Sequence, residues 1–180
     1  MRSKQVIKRF LLAILLGGPV LGAQAQSTGP LVVEADELGG PIRLRGAILD
    51  DLQLKDHYTT VERVNELRLL RPTNFDHGYF ASWYWFDGNQ PVTGPATEWQ
   101  VQGNPTLSTG NPVTLTYEGN GVSIERTISV DENYMFTYSD RVTNTGSEAR
   151  TLAPLGSIRR QGQWKEFLET TDPGSSNTGG

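Results

Sequence analysis

Short segments in which apolar and polar residues alternate recur along the chain about every ten residues. The clearest alternation covers residues 122–130, and a second covers residues 113–118. In the segment at residues 122–130, one face carries Val122, Ile124, Arg126, Ile128 and Val130. A period of two predicts half-buried β-strands. Between the two segments stands Asn120-Gly121, the preferred two-residue hairpin turn, because both residues tolerate a positive φ.

The same reading predicts further strands, separated by Gly, Pro, Asn and Asp clusters, at residues 31–35, 42–45, 47–58, 79–86, 97–101, 134–142 and 151–158. Turns are predicted at Gly39-Gly40-Pro41 and at Asp131-Glu132-Asn133, and the adjacent Asp50-Asp51 predicts a strand end or a bulge. Residues 61–70 fit a helical turn or a strand, and we favour a loop followed by a strand. Many short strands at this spacing predict an all-β fold, an antiparallel β-sandwich, rather than an α/β fold.

The first 25 residues have the three parts of a secretory signal peptide. A basic start precedes an apolar run at residues 10–21, and Ala23-Gln24-Ala25 forms a small-residue cleavage site. The alternative is an uncleaved membrane anchor, although the apolar run is shorter than the ~20 residues that span a bilayer. We therefore expect a short linker at residues 26–30 and a β-sandwich domain at residues 31–160. The tail at residues 161–180 begins with the helically spaced Trp164, Phe167 and Leu168 and ends in a stretch expected to be disordered.

Charge and composition exclude several classes of protein. The chain has 16 basic and 20 acidic side chains, and four of the basic ones lie in the first nine residues. Without that basic start the formal net charge is −8, the wrong sign for a nucleic-acid binder. The chain contains no Cys, which excludes disulfides and thiolate metal sites and is compatible with an oxidising periplasm. With two His residues and no phosphate-binding motif, we expect no metal and no cofactor.

The candidate titratable residues are better explained as structure than as catalysts. His57 and His77 have no acid or nucleophile at a diagnostic spacing, so each is expected in a turn or at a strand end. Asp50-Asp51 and Asp131-Glu132 are adjacent pairs, and adjacent residues of a strand point to opposite faces. We therefore expect both acidic pairs in solvated turns.

The segment Trp83-Tyr84-Trp85-Phe86 is the strongest candidate for a binding surface. In a strand, Trp83 and Trp85 share one face, which could stack on a sugar ring or on an apolar segment of a client protein. The alternative is a strand buried between two sheets, and we favour it because aromatic residues usually fill cores. Arg150, Arg159 and Arg160 could contact anionic lipid, but three scattered arginines in an acidic domain are weak evidence.

Taken in order, these segments resemble the N-terminal periplasmic domain of bacterial YidC-type membrane protein insertases. The resemblance covers about residues 31–160. It is carried by Leu31-Val32-Val33-Glu34-Ala35, by residues 46–58, Leu67-Arg68-Leu69-Leu70-Arg71-Pro72, Gly78-Tyr79-Phe80-Ala81, residues 112–117, residues 124–136, Arg141-Val142-Thr143-Asn144-Thr145-Gly146 and Pro154-Leu155-Gly156.

The resemblance implies a galactose-mutarotase-like β-supersandwich on the periplasmic side of the inner membrane, without catalysis. It implies as partners the transmembrane core of the insertase, components of the Sec translocon and client membrane proteins. In that family more strands follow the position of Arg160, so we expect a sandwich that is incomplete at its C-terminal end. An open sheet edge near residues 151–158 would then favour self-association. If the N-terminal segment is cleaved, the domain would be soluble in the periplasm.

A second hypothesis from another class is a periplasmic supersandwich that binds carbohydrate or acts as an aldose epimerase. An epimerase of that superfamily needs a His and a Glu that converge over the sheet, and neither His57 nor His77 stands in a matching strand.

Overall fold

A computed structural model of the chain describes residues 30–75 and 77–163. All regular structure among these residues is β, which confirms the predicted all-β class. The predicted signal segment and the helically spaced residues of the tail lie outside the described residues. The twelve strands are β1 Val32–Glu34, β2 Leu38–Pro41, β3 Gln53–Tyr58, β4 Glu66–Arg68, β5 Tyr79–Asp87, β6 Gln90–Pro91, β7 Gln100–Gln102, β8 Thr106–Leu107, β9 Val113–Gly119, β10 Val122–Val130, β11 Phe136–Asn144 and β12 Leu152–Arg160.

The strands form three sheets whose pairings are antiparallel except for the pair of β1 with β8. One sheet has the strand order β4-β3-β2-β1-β8, the second β11-β10-β9-β7 and the third β12-β5-β6. Strands β9, β10 and β11 are consecutive neighbours, which confirms the predicted three-strand meander. The loop between β9 and β10 is Asn120-Gly121, with φ of 50° and 74°, as the Asn-Gly pair predicts.

One apolar cluster forms the core between the sheets. Strand β10 is buried at every second residue, so its predicted face is confirmed, and Arg126 is buried with the aliphatic residues of that face. In the five-stranded sheet Val33 and Leu38 are also buried, as is Leu31 immediately before β1. Apolar burial on this scale is the main source of stability in a domain of this size.

The aromatic strand β5 pairs with β12 over nine residues, from Asp87 opposite Leu152 to Tyr79 opposite Arg160. Strand β12 is the outer strand of its sheet, and β11 is the outer strand of the neighbouring sheet. The edge expected near residues 151–158 is therefore present among the described residues. It carries exposed apolar side chains, including Ile158, which is 70% exposed.

Two predictions for residues 39–45 are wrong. Gly39-Gly40-Pro41 is part of strand β2 rather than a turn, because Gly40 adopts a φ of 141° and lets this strand pass close to the backbone of Asp51. The segment predicted as a strand at residues 42–45 is a turn with isolated bridges at Arg43 and Arg45. Its alternation arises because Ile42 is buried in the core while the arginines face other partners.

The prediction that Asp50-Asp51 forms a solvated turn is also wrong. The strand does break there, as expected, but Asp50 is only 3% exposed. Its carboxylate forms an ion pair with Arg43 and accepts a hydrogen bond from the backbone N–H of Thr73 at 3.4 Å. Burial raises the pKa of Asp50 despite the opposing effect of the Arg43 charge. Asp51 pairs separately with Arg68 at 2.8 Å, so the two carboxylates serve two different contacts.

Replacement of Gly40 by Ala is expected to destabilise the domain by about 3 kcal/mol or more. A Cβ at Gly40 would lie 1.9 Å from the carbonyl oxygen of Asp51. An alanine there would also have to keep the positive φ of Gly40, which residues with a side chain rarely adopt. Gly94→Ala is the matched control, since a Cβ there meets nothing within 4 Å. Urea unfolding of both variants measures the difference. Equal stability of the two variants would contradict the close approach of β2 to Asp51.

Candidate functional site

The tryptophan face of β5 lies against strand β11 of the neighbouring sheet. The ring of Trp83 stacks on Tyr138, with ring centroids 3.7 Å apart and an interplanar angle of 21°. Trp85 donates its indole N–H to Asp140 Oδ2 at 2.7 Å. Both indoles are half-buried and contact the core cluster. The tryptophan face of β5 therefore packs against the neighbouring sheet, whereas the opposite face of β5 is half-buried and lines a separate cleft.

A buried ion pair lies beneath the two indoles. Arg126 Nε donates to Asp140 Oδ1 at 2.8 Å and Arg126 Nη2 donates to Asp140 Oδ2 at 2.7 Å. The guanidinium therefore binds the carboxylate in a bidentate manner, through two parallel hydrogen bonds. Arg126 Nη1 donates to the backbone oxygen of Trp83 at 3.1 Å. The Arg126 side chain is 1% exposed and the Asp140 side chain 10%. This ion pair therefore joins β10, β11 and β5 in one hydrogen-bonded unit.

Aromatic rings complete the surroundings of the Arg126 guanidinium. Its carbon lies 4.6 Å from the centroid of Trp99 and 5.7 Å from that of Tyr138. The negative faces of the rings attract the cation, which offsets part of the cost of removing it from water. A charged side chain on the apolar face of β10 is stable only when such partners surround it.

Tyr138 is held in this cluster by its ring rather than by its hydroxyl. The hydroxyl oxygen is buried and has no hydrogen-bond partner among the described residues. Burial raises the pKa of Tyr138 well above its ordinary value, even though the nearby Arg126 charge acts in the opposite direction; the Asp140 charge adds to the effect of burial. The phenol therefore stays neutral and serves as a stacking partner for Trp83.

Strand β12 makes room for the Trp83 indole by carrying a glycine opposite it. Gly156 is the register partner of Trp83, and a Cβ at Gly156 would lie 2.9 Å from Trp83 Nε1. Two residues earlier, Pro154 is opposite Trp85. The indoles are thus held between β11 on one side and β12 on the other.

The cluster leaves an open cleft of about 340 Å³ between β5, β11 and β12. Its lining is mainly aromatic and includes Trp83, Trp85, Phe136, Tyr138 and Pro154, with the Arg126–Asp140 pair at its base. The tryptophan face therefore both packs against the neighbouring sheet and borders a cleft. Aromatic walls with a few fixed polar groups are typical of sites that bind apolar or ring-shaped ligands.

The other candidate residues are not brought together. His57 is exposed on β3, with Nδ1 3.0 Å from the Lys55 carbonyl oxygen. His77 lies in the turn before β5 with a φ of 60°, and its Nδ1 is buried with no hydrogen-bond partner among the residues that the structure describes. Neither histidine has a carboxylate partner within the described part of the chain. Asp131 lies in an exposed turn, where its carboxylate accepts hydrogen bonds from the backbone of Asn133 and Met135.

Sequence reasoning missed the Arg126–Asp140 pair although a signal was present. Arg126 occupies a position on the apolar face of β10, and a buried arginine requires a carboxylate or equivalent partner. Asp140 could have been sought on the adjacent strand of the meander. No group of three or more His, Cys, Asp or Glu residues that could hold a metal is present in residues 30–75 and 77–163.

Fold and site together define an antiparallel β-sandwich domain whose sheets are joined by a buried ion pair beneath an aromatic cleft. A family model described as the YidC periplasmic domain matches residues 30–177. The chain belongs to this family, and the resemblance noted in the sequence is confirmed.

Relatives that share this similarity bear the name membrane protein insertase YidC. The relative from Mesorhizobium japonicum is 47% identical over 133 residues, which cover 71% of this chain and 22% of the relative. The relative from Brucella suis is 39% identical over 153 residues, which cover 82% of this chain and 25% of the relative. The chain thus spans about a quarter or less of the length of these relatives. Its described residues contain no helix with the length and apolar character needed to cross a membrane.

Proposed function

We propose that this chain is the non-catalytic periplasmic domain of a YidC-type membrane protein insertase and assists the insertion and folding of inner-membrane proteins. The observation that carries the proposal is the family match over residues 30–177, joined to a 47% identical relative named as an insertase.

The same proposal supplies the location and the partners. The domain lies on the periplasmic side of the inner membrane, held there by its N-terminal segment or released into the periplasm if that segment is cleaved. Its partners are the transmembrane core of the insertase, components of the Sec translocon and client membrane proteins. The outer strand β12, with exposed Leu155 and Ile158, supports self-association as a further property of the isolated chain.

Trp83 and Trp85 are proposed as the client or ligand surface. Both indoles border the aromatic cleft, and Phe136 and Pro154 extend its apolar wall. An unfolded segment of a client membrane protein is rich in apolar side chains, and one such side chain would be buried against these rings. The indole and carboxylate positions are set in advance by the Trp85–Asp140 hydrogen bond, which lowers the cost of ordering the site on binding.

Photocrosslinking in cells tests the proposal with one pair of variants. A photoreactive phenylalanine analogue replaces Phe136, which lines the cleft, or Thr137, its neighbour on the exposed opposite face of β11. We expect crosslinks from position 136 to newly made inner-membrane proteins and few from position 137. Crosslinks of equal yield at both positions, or none at position 136, would contradict the client surface.

One observation favours the carbohydrate-binding alternative. An open cleft of about 630 Å³ lies over β7, β9 and β10 and is lined mainly by polar residues, including Gln102, Thr116, Glu118 and Glu125. Carboxylates and amides at such a surface could bind sugar hydroxyls. Calorimetric titration with neutral sugars distinguishes the hypotheses, since a signal abolished by Glu125→Ala would favour the carbohydrate alternative.

A further inference from the structure

A second cleft, of about 380 Å³, lies on the face of β5 opposite the tryptophans. Its base is formed by Phe80, Ser82 and Tyr84 of β5, and three arginines line it: Arg43, Arg45 and Arg159. Arg43 and Arg45 come from the turn after β2, whereas Arg159 comes from β12, where it is the register partner of Phe80. Residues about 115 positions apart in the chain are thus brought to one concave surface.

The three guanidinium groups differ in how they are engaged. Arg43 is fixed by its ion pair with the buried Asp50 and donates from Nη1 to Thr73 Oγ1 at 2.9 Å. Arg45 approaches Glu98 at 3.5 Å, but the two side chains are 65% and 73% exposed, so this pair contributes little. The Arg159 side chain is exposed and makes no hydrogen bond or ion pair with another side chain within residues 30–75 and 77–163, although the backbone of Arg159 pairs with that of Phe80.

The cleft is positive in a region that is otherwise negative. Residues 30–163 carry 11 basic and 17 acidic side chains, yet the cleft brings three arginines together with Asp50 and Glu98 as their only charged partners among the described residues. Concave sites with apolar walls strengthen the local potential. A guanidinium offers a planar pair of donors that matches a phosphate or a carboxylate. The cleft therefore has the chemistry of an anion site.

Exposed apolar residues beside the arginines indicate which class of molecule carries the anionic group. Leu155 is exposed and lies on the same face of β12 as Arg159, because the two are four residues apart in the strand. Phe75 is exposed and follows Thr73, which lines the cleft, by two residues. Cationic groups flanked by exposed apolar side chains are typical of surfaces that rest on lipid, with arginine at the headgroups and apolar tips between the chains.

We propose that the cleft of Arg43, Arg45 and Arg159 binds the phosphate of an anionic phospholipid headgroup and thereby holds this face of the domain against the membrane surface. Arg43, fixed by Asp50, provides a rigid donor, and Arg45 and Arg159 close on the phosphate from either side. The choice of a membrane surface rests on the proposed location of the domain beside the inner membrane. The contacts with the phosphate itself are inferred from the cleft residues alone.

Flotation with lipid vesicles tests this inference on the full chain. The vesicles contain phosphatidylcholine alone or with phosphatidylglycerol, and the N-terminal apolar segment is common to all variants, so its contribution cancels. We expect Arg45→Gln/Arg159→Gln to lower partitioning onto the anionic vesicles about 30-fold, or about fivefold for each arginine. The control Arg141→Gln removes an exposed charge from the outer face of β11 and should change partitioning by about twofold or less.

Three results would overturn the inference. An equal loss in Arg141→Gln would show attraction by overall charge rather than by the cleft. Arginine-dependent binding of soluble glycerol phosphate without vesicle binding would assign the cleft to a soluble phosphate ester, and arginine-dependent binding of an acidic peptide alone would assign it to a protein segment. Crosslinking at Phe136 does not depend on these arginines, so failure of the lipid site and failure of the client proposal are distinguishable.

Discussion

Replacement of Asp140 by Ala is expected to lower the free energy of unfolding by about 3–5 kcal/mol, a large share of the ~5–15 kcal/mol that stabilises a domain of this kind. The substitution leaves the Arg126 guanidinium, 1% exposed, without its carboxylate, and it removes the acceptor of the Trp85 indole N–H. The cost comes mainly from an uncompensated buried charge rather than from the lost attraction. Urea unfolding followed by circular dichroism measures the loss.

Two further variants separate the buried charge from other effects of the substitution. Arg126→Met/Asp140→Leu removes both charges and should recover a large part of the stability, because apolar groups of similar size replace a buried ion pair at little cost. Asp87→Ala breaks the partly exposed pair with Arg150, which is 2.8 Å long, and should cost about 0–1 kcal/mol. A double variant as unstable as Asp140→Ala alone would show that the loss does not arise from the unpaired guanidinium.

Replacement of Trp83 by Ala is expected to cost about 3 kcal/mol, because it removes a large half-buried ring and leaves a cavity against Tyr138. Trp83→Phe keeps an aromatic ring in the stack and should lose much less. Thermal melting of the two variants, together with crosslinking from position 136, measures stability and client contact on the same proteins.

The opposite face of β5 provides the matched comparison. Tyr84 lines the basic cleft and is half-buried, so Tyr84→Ala reports how far that face contributes to the core. A loss of stability from both faces would establish that β5 is sandwiched between layers. An unchanged melting temperature in Trp83→Ala, combined with loss of crosslinks, would instead show that the ring serves only as a ligand surface.

Regular hairpins were predictable because their signals are local. The two-residue loop Asn120-Gly121 determines the pairing of β9 with β10, including Val122 opposite Gly119. The alternation of β10 then determines its buried face, Arg126 included. The pairing of Arg126 with Asp140 depends instead on the length of the loop from Asp131 to Met135, whose closing bond joins the N–H of Asp131 to the carbonyl of Met135. Turn residues alone do not specify that length.

Predictions were wrong where distant segments decide the conformation. Gly39-Gly40-Pro41 has the composition of a turn, but pairing with β1 makes it a strand, and the nearby Asp51 backbone leaves no space for a side chain at Gly40. Asp50 has the composition of a solvated turn, but Arg43 and the Thr73 backbone satisfy its carboxylate in the interior. A polar residue is buried when such partners reach it, and those partners are not its neighbours in sequence.

The sequence by itself determined the all-β class, the meander and the family, because period-two patterning, turn residues and the ordered set of segments are written along the chain. Only the tertiary structure decided which side chains meet. It placed the buried Arg126–Asp140 pair beneath two half-buried tryptophans, and it brought Arg43 and Arg45 to Arg159 across the other face of β5. Both arrangements depend on strand register and on the packing of sheets, which arise from long-range burial rather than from local residue preferences.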